Sequence, residues 1–201
     1  MNVTQPSAAM SSTSSQTAMV AERYGDAMHF LSVFNPDMQL RYSTDKDRCF
    51  RGKAPELGLV SRTYGADVAE SWLMGQLHEL GEYTGVRDKQ TDRQKEDTAK
   101  VIIAEFGHLK VTEMMYFFVL LKSGRFGKFY GSVDAMAITS ALREFLKIRD
   151  AELDRIIHAE EQAERERDKA ARAREVMTHE EYTELRWLFN MGYEPRHLHG
   201  R

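Results

Sequence analysis

The hydrophobic and polar positions of the chain fall into a regular order only from Tyr64 onward. Val68, Ala69, Trp72, Leu73, Gln76, Leu77 and Leu80 recur at the three- and four-residue spacing that lays one face along a helix, and "GEYTG" ends the run. A second helix is predicted to open at Thr91, because Thr91 and Gln94 form a capping box in which each side chain satisfies an orphan backbone N–H. Its face is Ala99, Ile102, Ile103 and Phe106, and Gly107 stops it. The third, Thr112 to about Lys122, carries Met114, Met115, Tyr116, Phe117, Phe118, Val119, Leu120 and Leu121, apolar nearly all round, which predicts the central, most buried element.

After a loop, Asp134 is a good N-cap for a long helix whose apolar face runs Ile138, Ala141, Leu142, Phe145, Leu146, Leu153, Ile156 and Ile157. That face ends abruptly. From His158 to Glu175 no apolar residue is larger than Ala, and the Glu and Arg/Lys residues often stand four apart, as on a solvated helix. A coiled coil would need Leu or Ile at its a and d positions. A capping box at Thr178 and Glu181 then opens a short helix with Tyr182, Leu185, Leu188 and Phe189 on one side and Gly192 as its stop.

Before Tyr64 the pattern is weaker. Residues 1–18 are rich in Ser, Thr, Ala and Gln and short of bulky apolar side chains, so they are expected to be disordered. Residues 19–60 carry real apolar side chains at irregular spacing, interrupted at Pro36 and Pro55, and fit short helices or an extended arm. No strand alternation appears. The expected architecture is all-α, a helical bundle over residues 61–157 with a Gly-rich basic-aromatic loop leading into the long helix. A solvated charged helix over 158–177, a short helix over 178–192 and a tail over 193–201 follow.

Composition narrows the classes of function. The formal net charge is −3, so anion binding would have to come from a local patch. Cys49 is the only cysteine, which excludes an intrachain disulfide and suits a reducing compartment. With neither a secretory signal nor an apolar run long enough for a membrane helix, a cytoplasmic protein is expected.

The loop "LKSGRFGKFYGSVDA", residues 121–135, carries the most suggestive chemistry. A Walker phosphate loop needs four residues between its glycines, then Lys and Ser/Thr; here Gly124 and Gly127 are separated by two, and Phe129 follows Lys128. "GRFG" satisfies the backbone-clamping loop of KH domains literally, but that fold needs a sheet. What survives is local: Lys122, Arg125 and Lys128 stand beside Phe126, Phe129 and Tyr130, with no acidic residue between Glu113 and Asp134. Aromatics beside Arg or Lys suit a protein or nucleic-acid contact. The same residues suit a turn whose glycines bend the chain while its rings plug the bundle end. Both readings stand at this point. The spacings Glu105 to His108 and Glu194 to His197 could suggest a di-metal carboxylate site, but Gly107 and Pro195 interrupt the helices it needs. No nucleophile stands in a recognisable elbow. Neither enzyme, metal nor cofactor is expected.

The run "AEFGHLKVTEMMYFFVLLKSGRFGKFYGSVDAMAITSALREFLKIR", Ala104 to Arg149, resembles a family of small helical proteins carried by phages and conjugative elements of gut anaerobic bacteria. "RCF" at 48–50, "YGADVAESWL" from Tyr64 and "GVRDKQT" from Gly85 extend the likeness over about residues 48–150. The family commonly has Pro where this chain has Ala135. It brings no established activity or catalytic residue. More distantly, the order helix, aromatic-basic loop, long helix is similar to phage helicase-loader and inhibitor proteins, a fold-level analogy. That likeness implies a replication-associated adaptor acting on a replication protein of host or element. A direct nucleic-acid binder and an oligomeric scaffold are the alternatives, and Lys122, Arg125, Phe126, Lys128 and Tyr130 are the expected contact residues.

Overall fold

A computed structural model describes residues 8–129, 131–175 and 179–192. Among them the chain is all-α. The helices are α1 Ala8–Tyr24, α2 Ala27–Val33, α3 Gln39–Thr44, α4 Lys46–Phe50, α5 Leu57–Tyr64, α6 Ala66–Thr84, α7 Asp92–Phe106, α8 Val111–Lys122, α9 Ala135–Glu175 and α10 His179–Asn190. A 3-10 turn, Pro36–Met38, lies between α2 and α3. Contacts divide the chain into two units within α9, the first ending at Leu153 and the second starting at Asp154.

In the first unit α8 is the centre, as its all-round apolar pattern predicts. Val111, Met114, Met115, Phe117 and Phe118 are fully buried, and α8 packs against α3, α4 and α6. The amphipathic faces read from sequence largely point inward: Trp72, Leu73, Leu77 and Leu80 of α6, Ala99, Ile102 and Phe106 of α7, and Ile138, Leu142 and Phe145 of α9 are buried, whereas Ile157, read onto the α9 face, is exposed. The capping box of α7 is formed, with the Gln94 N–H donating to Thr91 Oγ1 at 3.2 Å and the Thr91 N–H to Gln94 Oε1 at 2.8 Å.

Before Tyr64 the short helices expected over residues 19–60 are present as α2, α3 and α4, and the segment departs from its expectation in two other ways. Residues 8–18, expected to be disordered, are the first part of α1. That helix is anchored at its far end, where Tyr64 Oη donates to the Gly25 carbonyl at 3.1 Å and Tyr24 Oη to that of Lys53 at 3.2 Å. Once such an end is fixed, each further residue adds a hydrogen bond without a new nucleus.

Residues 19–60, in turn, supply part of the core itself. Phe30, Phe34, Cys49, Phe50 and Leu57 are buried, and Tyr24, Phe30, Phe34 and Tyr64 pack rings 5.1–6.2 Å apart. Two of the short helices, α2 and α4, have a side-chain N-cap. Asp26 accepts from the His29 N–H, and Asp45 accepts from that of Arg48. Gln76, a polar residue on an apolar face, is explained here. Its Nε2 donates to the Phe34 carbonyl at 3.2 Å beside the Trp72 Nε1 at 2.6 Å, and its Oε1 accepts from Gln39. These bonds satisfy a helix-end carbonyl that burial would otherwise strand.

The second unit continues α9. Side chains from His158 to Ala173 are exposed, as predicted for a solvated helix, and Glu161 pairs with Arg165 at 3.5 Å. The expected segment 158–177 is therefore the unbroken end of the long helix as far as Glu175. Thr178, the predicted cap of α10, lies outside the described residues.

Candidate functional site

The loop after α8 owes its shape to helix-termination chemistry. Gly124 adopts φ +75°, its N–H donates to the Leu121 carbonyl at 3.0 Å, and the Arg125 N–H reaches back to that of Leu120 at 3.0 Å. This pair of bonds is the Schellman C-cap, which needs a left-handed residue where Gly stands. The Gly127 N–H then closes a turn on the Gly124 carbonyl at 3.1 Å, with Gly127 at φ +100°. A Cβ on either glycine would meet nothing closer than 3.9 Å. Both glycines are therefore accounted for by backbone conformation, with no close neighbour demanding them.

The five expected contact residues do not form one cluster. Lys122 is drawn inward: its Nζ pairs with Glu79 Oε1 at 2.8 Å and lies 5.2 Å from the Tyr83 ring centroid. Its partners sit some forty positions earlier, on α6, where no local pattern could disclose them. Arg125 and Lys128 are exposed. Phe126 is half-buried, its ring 5.7 Å from that of Phe117 in the core, and Phe129 is half-buried too. Tyr130 lies outside the described residues. Arg125 and Phe126 instead form one wall of an open groove of about 550 Å³, whose other wall is α9 from Ala137 to Ile148. One side chain of the loop thus anchors in the core while its neighbour faces solvent, an arrangement that meets both sequence readings.

Two other features bear on chemistry. Glu105, one of the residues that suggested a metal, is held by Arg143 at 3.0 Å, while Glu194 and His197 lie outside the described residues. Cys49 is buried, its Sγ 3.3 Å from the Thr112 carbonyl, and burial, with the Glu113 charge adding, pushes its thiol up to about 12. Such a thiol is no nucleophile at neutral pH.

A cluster of exposed apolar side chains lies on α10 and the residue after it. Tyr182, Trp187, Phe189 and Met191 are 56%, 59%, 66% and 68% exposed. By helical spacing Tyr182 and Phe189 share a side with Leu185, and Trp187 and Met191 stand four apart on another, so apolar residues wrap more than one face. Three carboxylates, Glu180, Glu181 and Glu184, share the helix with a single Arg186. The sequence reading identified one apolar side of this helix but assigned it no contact role. The signal was the density of large apolar residues in a segment with nothing comparable before it to cover them.

Residues 89–191, slightly more than half of the chain, match the model of a family of unknown function, DUF6633. The chain belongs to that family. The match begins later and ends later than the likeness read from the sequence, and it takes in the loop, its groove and α10 together. Neither a curated protein nor a solved structure shows significant similarity to the chain.

Proposed function

We infer that this chain is a non-enzymatic adaptor that works by protein–protein contact, offering α10 to an apolar groove of its partner, with the Arg125, Phe126 and Lys128 edge as a second contact. The observation that carries the reading is the exposure of Tyr182, Trp187, Phe189 and Met191 within ten residues. Large apolar side chains clustered on a surface mark interaction sites, and an amphipathic helix laid in a groove is a recurrent mode of recognition. The acidic residues of α10 favour a groove with a basic rim. The likeness to proteins of phages and conjugative elements, and more distantly to helicase loaders and inhibitors, makes a replication protein of host or element the partner to test first.

A direct nucleic-acid binder is supported less well, because the Glu79 pairing of Lys122 leaves Arg125 and Lys128 as the loop's exposed cations. The two readings separate by salt. Two phosphate contacts would make affinity fall with salt at a slope near −2, whereas burial of aromatic side chains depends on salt far less. The experiment is affinity capture of a purified replicative helicase and initiator by the full chain at low and moderate salt, beside a chain carrying Trp187→Ala and Phe189→Ala. The adaptor reading requires capture that survives the salt and is lost with the two rings. Self-association of the chain through the same rings, read by light scattering, would favour the scaffold instead.

A further inference from the structure

A second groove, of about 330 Å³, lies in the first unit, well away in sequence from the loop and from α10. It is lined by α1, the segment before α5, and α5 itself. Helical spacing brings Val20 and Arg23 to one side of α1 and Leu59 and Arg62 to one side of α5, and Lys53 comes from the segment between.

The walls are fixed by bonds around the groove. Tyr24 Oη holds the Lys53 carbonyl at 3.2 Å, and Lys110 Nζ lies under the segment, donating to the Phe50 and Gly52 carbonyls at 2.6 and 3.0 Å. The Val111 N–H donates to the Pro55 carbonyl at 2.9 Å. The groove is thus formed before any ligand arrives, which lowers the ordering cost of binding.

Its exposed charge is predominantly positive. Arg23, Lys53 and Arg62 are exposed, and Glu56 is the one carboxylate along the lining. Lys110 also belongs to the lining, but its ammonium is half-buried and engaged by the Phe50 and Gly52 carbonyls, so the exposed charge is that of the other four groups. Three exposed cations against one carboxylate leave two net positive charges, the match for a phosphate monoester, whose second proton leaves near pH 6. Met19, Val20, Pro55 and Leu59 give the same groove an apolar floor.

We propose that this groove binds a phosphate monoester, its dianion held by Arg23, Lys53 and Arg62 and its organic group seated on Met19 and Leu59. The volume is at the lower end of the range for small-molecule sites, so the ligand is a small phosphate ester or the terminal phosphate of a longer molecule such as a nucleic-acid strand. Guanidinium groups suit the planar, two-bond capture of phosphate oxygens.

The test uses the full chain and phenyl phosphate as probe, with binding followed by titration calorimetry and by NMR. Phenyl phosphate should bind at least tenfold more tightly than phenyl sulfate, which carries one charge fewer. Arg62→Ala and Lys53→Ala, both at exposed positions, should each weaken it about tenfold with an unchanged melting temperature. Arg125→Glu should leave it unaffected. An oligonucleotide with a 5′-phosphate, compared with its 5′-hydroxyl counterpart, distinguishes the two sources: preference for the phosphorylated strand over phenyl phosphate assigns the nucleic-acid end, and the reverse assigns a small ester. Equal binding of phosphate and sulfate esters, or undiminished binding by a chain lacking both Arg62 and Lys53 side chains, would overturn the proposal.

Discussion

Glu113 of α8, with its side chain fully buried, receives the Arg149 Nε of α9 at 3.0 Å while its other oxygen accepts the Lys110 N–H at 2.9 Å. One carboxylate thus caps its own helix and ties the next to it. Burial pushes the carboxyl above its usual range, and the Lys110 N–H and the Arg149 guanidinium pull it back down. A charge in this position depends on its partner.

Removing that partner should therefore be costly in a way that pH reports. Arg149→Met leaves the carboxylate buried and unpaired, and at pH 8 the loss should reach about 3 kcal/mol by denaturant unfolding. The sign of the pH effect follows from the raised folded-state pKa. In the window between the ordinary carboxylate value and the raised one the folded chain holds the extra proton, so this group's contribution to stability rises as pH falls and is lost as pH rises through the folded pKa. The deficit of Arg149→Met against wild type should accordingly shrink between pH 8 and pH 5. A deficit that grows on acidification would contradict the assignment.

The loop offers a contrast between residues three apart. Gly124→Ala forces a side chain into the left-handed region and should cost about 1 to 2 kcal/mol with no steric clash to relieve. Lys122→Glu should cost about 1 kcal/mol, because it sets two carboxylates against each other where an ion pair stood. Arg125→Glu and Lys128→Glu should leave the melting temperature unchanged, since both side chains are exposed. Thermal unfolding of the four variants decides the set.

Cys49 should be silent towards thiol reagents. With its thiol pushed up to about 12 and its side chain buried, a disulfide probe at pH 8 should react only in denaturant. Stoichiometric labelling of the folded chain within minutes would place the thiol at a surface.

Much of this fold was legible where a helix is long and repeats a pattern of large apolar side chains, which α1, long but poor in them, does not. α6, α7, α8 and the start of α9 span two or more turns, so their faces and caps can be read from neighbours in sequence, and Thr91, Gly107 and Asp134 stand at the ends they predict. The helices α2, α3 and α4 have five to seven residues each, too few for periodicity to show. Phe30 and Phe34 are core through contacts with Tyr64 and Trp72, more than thirty positions away. The loop was legible as a turn and as a charged edge. What local reading could not supply was the removal of Lys122 from that edge, which rests on Glu79 and Tyr83.

The chain holds two tryptophans, and they stand in opposite surroundings. Trp72 is 3% exposed and donates to a buried carbonyl, while Trp187 is 59% exposed on α10. A Trp187→Phe chain should emit at shorter wavelength and resist acrylamide quenching, and α10 alone should account for the quenchable signal of the wild type.

That signal gives the most direct test of the adaptor reading. In a Trp72→Phe chain, or in a Trp72→Tyr chain should the first fold poorly, the emission of Trp187 is followed while purified replicative helicase is added, at low and at moderate salt. The account predicts a blue shift and loss of quenching that saturate with helicase, change little with salt, and vanish when Phe189→Ala is added. An unshifted Trp187 in a complex that forms nonetheless, or binding that Phe189→Ala leaves intact and moderate salt abolishes, would contradict it.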